Sequence, residues 1–112
     1  MEVRDHFRAA ARQPVHLPAM VEVGGRARRA VVLDLGLEGA SVEGGEPLAV
    51  GDRVLLSVTA PNLWDPLDVP AEVRWSVSPG PSGGVRLGLR FHPRDGRTLR
   101  ALATLLATTH FE

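Results

Sequence analysis

"VHLPAMVEVGGRARRAVVLDL", Val15 to Leu35, decides how the rest of the chain is read. In its first half Val15, Leu17, Ala19, Val21 and Val23 alternate with His16, Pro18, Met20 and Glu22, the two-residue period of a strand with one buried face. Gly24-Gly25 turns the chain. Arg26 to Leu35 returns as a second strand, with Val31, Leu33 and Leu35 expected on one side. Ala40 to Glu43, ended by Gly44-Gly45, makes a third, so the chain opens as a three-strand meander.

The same period continues downstream. After the turn "LAVGD", Val54, Leu56 and Val58 repeat the alternation. Leu67, Val69, Ala71, Val73, Trp75 and Val77 carry it over the longest strand, which puts Trp75 on the core side. Pro70 falls on the polar parity, and because proline cannot donate to a ladder it suggests an edge position or a bulge. "SPGPSGG" makes a loop, and Val85, Leu87, Leu89 and Phe91 line a sixth strand. Short strands joined by glycine-rich turns favour an all-β fold, a six-stranded antiparallel β-barrel. The period then changes: Leu99, Leu102, Ala103 and Leu106 follow i, i+3, i+4, i+7, one apolar face of a C-terminal α-helix, with Asp95 placed to cap it. This helix is expected to cover an open end or side of the barrel.

At 112 residues the chain is expected to form one domain with a modest core. Thirteen basic residues balance thirteen acidic ones, so no global field marks a binder of nucleic-acid polymers or of membrane surfaces, and an anion must be held locally. Every basic residue is arginine, whose guanidinium makes planar, bidentate contacts. Without cysteine there is no disulfide, thiol nucleophile or cysteine-bound zinc, and His6, His16, His92 and His110 show no ligand spacing, so no metal is expected. Ser41 and Ser57 sit in no nucleophile motif. "MEVRDHFR" is charged from its second residue, unlike a secretory signal, and no apolar run approaches the roughly twenty residues needed to insert in a bilayer. The expected location is the cytoplasm. Trp64, in "APNLWDP", has no place in this pattern, and Arg74, Arg86 and Arg90 fall on the solvated parity.

Residues 1–12 match neither period and carry Arg4, Arg8 and Arg12; they are expected to form a flexible arm ahead of the barrel at 13–112. "RAAARQPVHLPAMVEV", "VVLDLGLEGASV", "VGDRVLLSV", "AEVRW" and "LGLRF", in that order, resemble the PilZ domain family along nearly the whole chain. The family's marks are R-x-x-x-R just before the first strand and D/N-x-S-x-x-G at the turn from the second strand to the third. Arg8 and Arg12 match the first, and Arg4 with Arg8 has the same spacing; Arg12 directly precedes "QPVHLP", which favours the later pair. Asp34 and Gly39 match two positions of the second mark, and Gly36 stands where the family has serine.

The resemblance implies a receptor for cyclic di-GMP, a bacterial second messenger, as ligand and not as cofactor. The chemistry suits the residues. Arg8 and Arg12 can fork onto phosphate oxygens or onto O6 and N7 of guanine, and an ionised Asp34, acceptor-only, can take the N1 and N2 donors. Gly39, without Cβ, lets a base approach the backbone. Within the family an arginine just before the first motif arginine accompanies an intercalated ligand dimer; Phe7 stands there, which implies one ligand per protomer. A single domain of this kind acts through a protein effector. Two other readings stay open: the arginines as a solvated tail with Asp34, Gly36 and Gly39 as ordinary turn residues, and a divergent protein-interaction adaptor that does not bind the nucleotide.

Overall fold

The computed structural model describes residues 12–61, 63–78, 84–92 and 96–109. Apart from Arg12, the expected arm lies outside them, as do Arg8 and the expected cap Asp95. Six strands follow one another as β1 (Arg12–Val23), β2 (Arg26–Gly36), β3 (Gly39–Gly44), β4 (Arg53–Val58), β5 (Leu67–Val77) and β6 (Arg86–Phe91), and a helix, α1 (Gly96–Thr109), follows them. All neighbours are antiparallel, in the closed order β1-β2-β3-β6-β5-β4, with β4 returning to β1. The two-residue alternation is thus satisfied by closure, which leaves no free edge. Because β3 and β4 are not neighbours, the intervening segment crosses over, held to β5 by Gly51 N–H to the Val73 carbonyl (2.8 Å) and Val73 N–H to the Asp52 carbonyl (2.9 Å).

Leu17, Ala19, Val21, Val32, Leu35, Ala40, Val42, Val54, Leu56, Val58, Val69, Ala71, Val73, Leu87, Leu89 and Phe91 form one buried core with Leu102 and Leu105 of α1. The helix packs against β5 and β2, and the Gln13 side-chain amide donates to the Leu106 carbonyl at 2.8 Å. Full burial of Leu102 and Leu105 contributes about 1.5–3 kcal/mol each to that seat. The buried stripe is rotated from the expected one: Leu105 enters the core, while Leu99 and Ala103 face outward.

Two departures from strict alternation matter for function. In β2 the register against β3 shifts between Val32 and Asp34, so Val32, not Val31 or Leu33, fills the core. In β5 the register against β6 shifts between Val73 and Trp75, which corrects the core placement of Trp75: its side chain is on the outer face and 42% exposed. A bulge inserts one residue and reverses the parity of everything beyond it. Pro70, by contrast, sits in an unshifted β4–β5 ladder opposite Leu55. Its carbonyl accepts the His92 N–H at 2.7 Å, so its nitrogen points the same way, to the β6 side just beyond the first β5–β6 pair, Ala71 with Phe91, and interrupts no bond of the β4–β5 ladder. Trp64 is fully exposed beside Leu63, which packs on the core. At the β1–β2 hairpin, a hydrogen bond from Arg26 and the nearby charge of Arg28 hold the Glu46 carboxyl below the ordinary carboxylate range.

Candidate functional site

The residues singled out at the β2–β3 turn come together on one outer face. Asp34 would point into the core if β2 alternated without interruption from Val32; the inserted Leu33 turns it outward instead, directly opposite Ser41 of β3. Arg12, the first residue of β1, pairs in register with Gly36, and its guanidinium donates to Asp34 Oδ1 at 2.8 Å. Both partners are partly exposed, at 41% and 34%, so the contact is open to exchange with another molecule. The backbone N–H of Ser41 donates to the same Asp34 oxygen at 3.2 Å, which fixes the carboxylate against the barrel wall.

Gly39 begins β3 opposite Arg90. A Cβ there would overlap the Leu89 carbonyl oxygen and would lie 3.1 Å from the Arg12 guanidinium. Glycine is therefore needed for two reasons at once: β3 can approach β6, and the arginine can lie over the turn. Gly36 is the last residue of β2 and is not among the described glycines with positive φ, so no left-handed backbone ties that position to glycine.

Reading across the strands, the outer face runs Pro14, Asp34, Ser41, Gly88, Trp75. The indole of Trp75 lies over Gly88, filling the space that a side chain there would need. An aromatic ring, a carboxylate and a guanidinium thus share one surface. Parity arguments miss Trp75 because a bulge leaves no mark on hydropathy; the available signal is Gly88 itself, a lone glycine inside "RLGLRF", which marks a close approach. Arg90, beside Gly39, and Arg86, beside Glu43, are exposed on the neighbouring positions of β6, and Arg74 is exposed at the β5 bulge. His92 lies apart, 3.0 Å from Glu72.

Chemically the site offers a carboxylate acceptor and a guanidinium donor side by side. A carboxylate can only accept, and a guanidinium can only donate, so a molecule that carries both an N–H edge and an anionic or carbonyl edge can satisfy the two together. Among the described residues no group of three or more His, Cys, Asp or Glu is placed to hold a metal ion, and no helix is long and apolar enough to cross a membrane.

Comparison with known proteins agrees with this architecture. Solved structures that the chain resembles include the Bacillus subtilis inhibitor of motility MotI/DgrA (TM-score 0.71, 16% identity, 88% of this chain and 48% of that one), the PilZ domain of CeSA from a cellulose-synthesizing bacterium (0.67, 20%, 87% and 95%), and the PilZ domain of Escherichia coli YcgR with c-di-GMP (0.66, 18%, 88% and 86%). It spans about half the length of MotI/DgrA and nearly all of the CeSA domain. No protein of curated function matches the sequence significantly. The PilZ domain model matches residues 2–108, which takes in both motif arginines, the β2–β3 turn and most of the helix, and the chain belongs to the PilZ domain family.

Proposed function

We propose that this chain is a cytoplasmic bacterial receptor for cyclic di-GMP, a binding module and not an enzyme, which passes ligand occupancy to a protein effector through ordering of its N-terminal arm. The observation that carries the reading is the exposed Arg12–Asp34 pair seated over Gly39. A guanine requires both of its members. Asp34 accepts the N1 and N2 donors; Arg12 donates to O6 and N7 or to a phosphate oxygen, and Arg8 supplies the second cation. Ligand binding exchanges the Arg12–Asp34 contact for two ligand contacts at the barrel wall, and Arg8 engages the arm with the same ligand. Trp75 adds a face for base stacking, worth about 1–3 kcal/mol in single-stranded nucleotide recognition.

Calorimetric titration with cyclic di-GMP, with GMP as control, tests the reading. Heat at micromolar ligand and one ligand per protomer is expected; silence up to about 100 μM, an affinity weaker than roughly −5.5 kcal/mol, would favour the adaptor. The adaptor keeps its place because Gly36 brings no hydroxyl to the site.

Arg8→Ala and Arg12→Ala are expected to weaken binding at least tenfold, since each removes a charge-assisted contact of about 1.5–3 kcal/mol. Thermal stability should barely move, because a solvent-exposed ion pair such as Arg12 with Asp34 contributes at most about 1 kcal/mol. Arg4→Ala is the register control. If Arg4 matters and Arg12 does not, the arginine motif starts one repeat earlier.

Gly36→Ser is expected to tighten binding by a few-fold to about tenfold, the worth of one added hydrogen bond. The melting temperature should hold, as Gly36 ends β2 without the positive φ that would strain a serine. A lower melting temperature with no gain in affinity would instead assign Gly36 to the turn.

A further inference from the structure

Ser41 is the buried polar side chain of the described core, 7% exposed. Its backbone N–H is taken by Asp34 Oδ1, but its hydroxyl has no partner among the described residues. Buried hydroxyls are normally paired, so one without a partner among the described residues calls for a reason. Position supplies it. Ala40 and Val42 on either side fill the core, which puts Ser41 on the outer face between Asp34 of β2 and Gly88 of β6. Directly opposed residues on one face have Cβ atoms about 5 Å apart, so the hydroxyl stands beside the carboxylate. Gly88 offers no side chain on the other flank, and Gly36 adds none further along β2.

We propose that Ser41 Oγ is a ligand-binding group of this site and supplies to the guanine edge the hydroxyl that Gly36 lacks. The inference rests on the reading of the site as a cyclic di-GMP receptor. Asp34 can only accept, whereas a hydroxyl both donates and accepts. A guanine whose N1 and N2 donors meet Asp34 brings its neighbouring O6 acceptor and its second N2 hydrogen to the same surface, and either satisfies Ser41. A hydroxyl without a partner among the described residues is then a group kept ready for ligand at the expense of the unliganded fold.

That trade separates a binding role from a structural one. Ser41→Ala is expected to lower cyclic di-GMP affinity about tenfold in calorimetry, while its melting temperature stays level or rises, because the unpaired hydroxyl is gone. Ser41→Thr, which keeps the hydroxyl and suits a strand, should stay within about threefold of the parent chain. If the parent chain binds and Ser41→Ala binds equally well, the inference is overturned and the receptor reading stands. If Ser41→Ala melts lower with affinity unchanged, Ser41 is structural. If the parent chain gives no heat with cyclic di-GMP, the receptor reading falls and the inference with it.

Discussion

Asp34→Ala is expected to lower cyclic di-GMP affinity about a hundredfold or more, the largest binding effect of any single change at this site. The carboxylate takes two guanine donors in the proposed complex, and charge-assisted hydrogen bonds of about 1.5–3 kcal/mol each sum to roughly 3–6 kcal/mol. The same substitution releases Arg12 and leaves the Ser41 N–H, now bonded at 3.2 Å, without its acceptor. A part-buried donor left unpaired costs about 1–3 kcal/mol, so a drop of several degrees in melting temperature should accompany the lost affinity. Asp34→Asn separates the two effects. It retains an oxygen for the Ser41 N–H and so should recover most of the stability, but without the charge it should recover little of the binding. Calorimetry and a thermal melt on the same samples check both. Affinity unchanged in Asp34→Ala would reduce the residue to turn chemistry and hand the site to the adaptor reading.

For Gly39→Ala the largest loss of stability is expected. The added methyl would overlap the carbonyl oxygen of Leu89, a backbone atom inside the β3–β6 ladder, so the strands must part to admit it. Strain of that kind costs about 1–3 kcal/mol, and each kcal/mol lowers the melting temperature of a domain this size by about 4–8 °C. The methyl would also press on the Arg12 guanidinium 3.1 Å away, so binding should weaken with the fold. Gly88→Ala is the instructive comparison. There the obstructing atoms belong to the Trp75 indole, a side chain 42% exposed and free to swing outward. Its melt should stay close to the parent's while the tryptophan emission shifts. If the two alanine variants melt alike, the close approach of β3 to β6 does not require glycine.

Much of the fold is legible because burial on one face of a strand repeats every second residue. Leu17, Ala19 and Val21, then Val54, Leu56 and Val58, then Leu87 and Leu89 announce their strands directly, and the barrel buries all of them. The helix is visible by its change of period, though which stripe of it meets the barrel is not: Leu102 and Leu105 go in while Leu99 stays out. Leucine and alanine surround that helix closely enough that hydropathy permits more than one face, and the shape of the barrel wall chooses.

The site divides in the same way. Arg12, Asp34, Gly36 and Gly39 are picked out by the resemblance to the two PilZ motifs, and the chemistry of donor, acceptor and glycine suits those positions. That Asp34 points outward, that Trp75 shares its face, and that Ser41 stands between them follow from register shifts at Leu33 and Arg74. By itself the sequence determined the six strands, the closing helix and the motif residues proposed to meet a guanine nucleotide. Only the tertiary structure decided which of them meet, since a bulge is set by pairing with the neighbouring strand, and one inserted residue moves every later side chain to the opposite face.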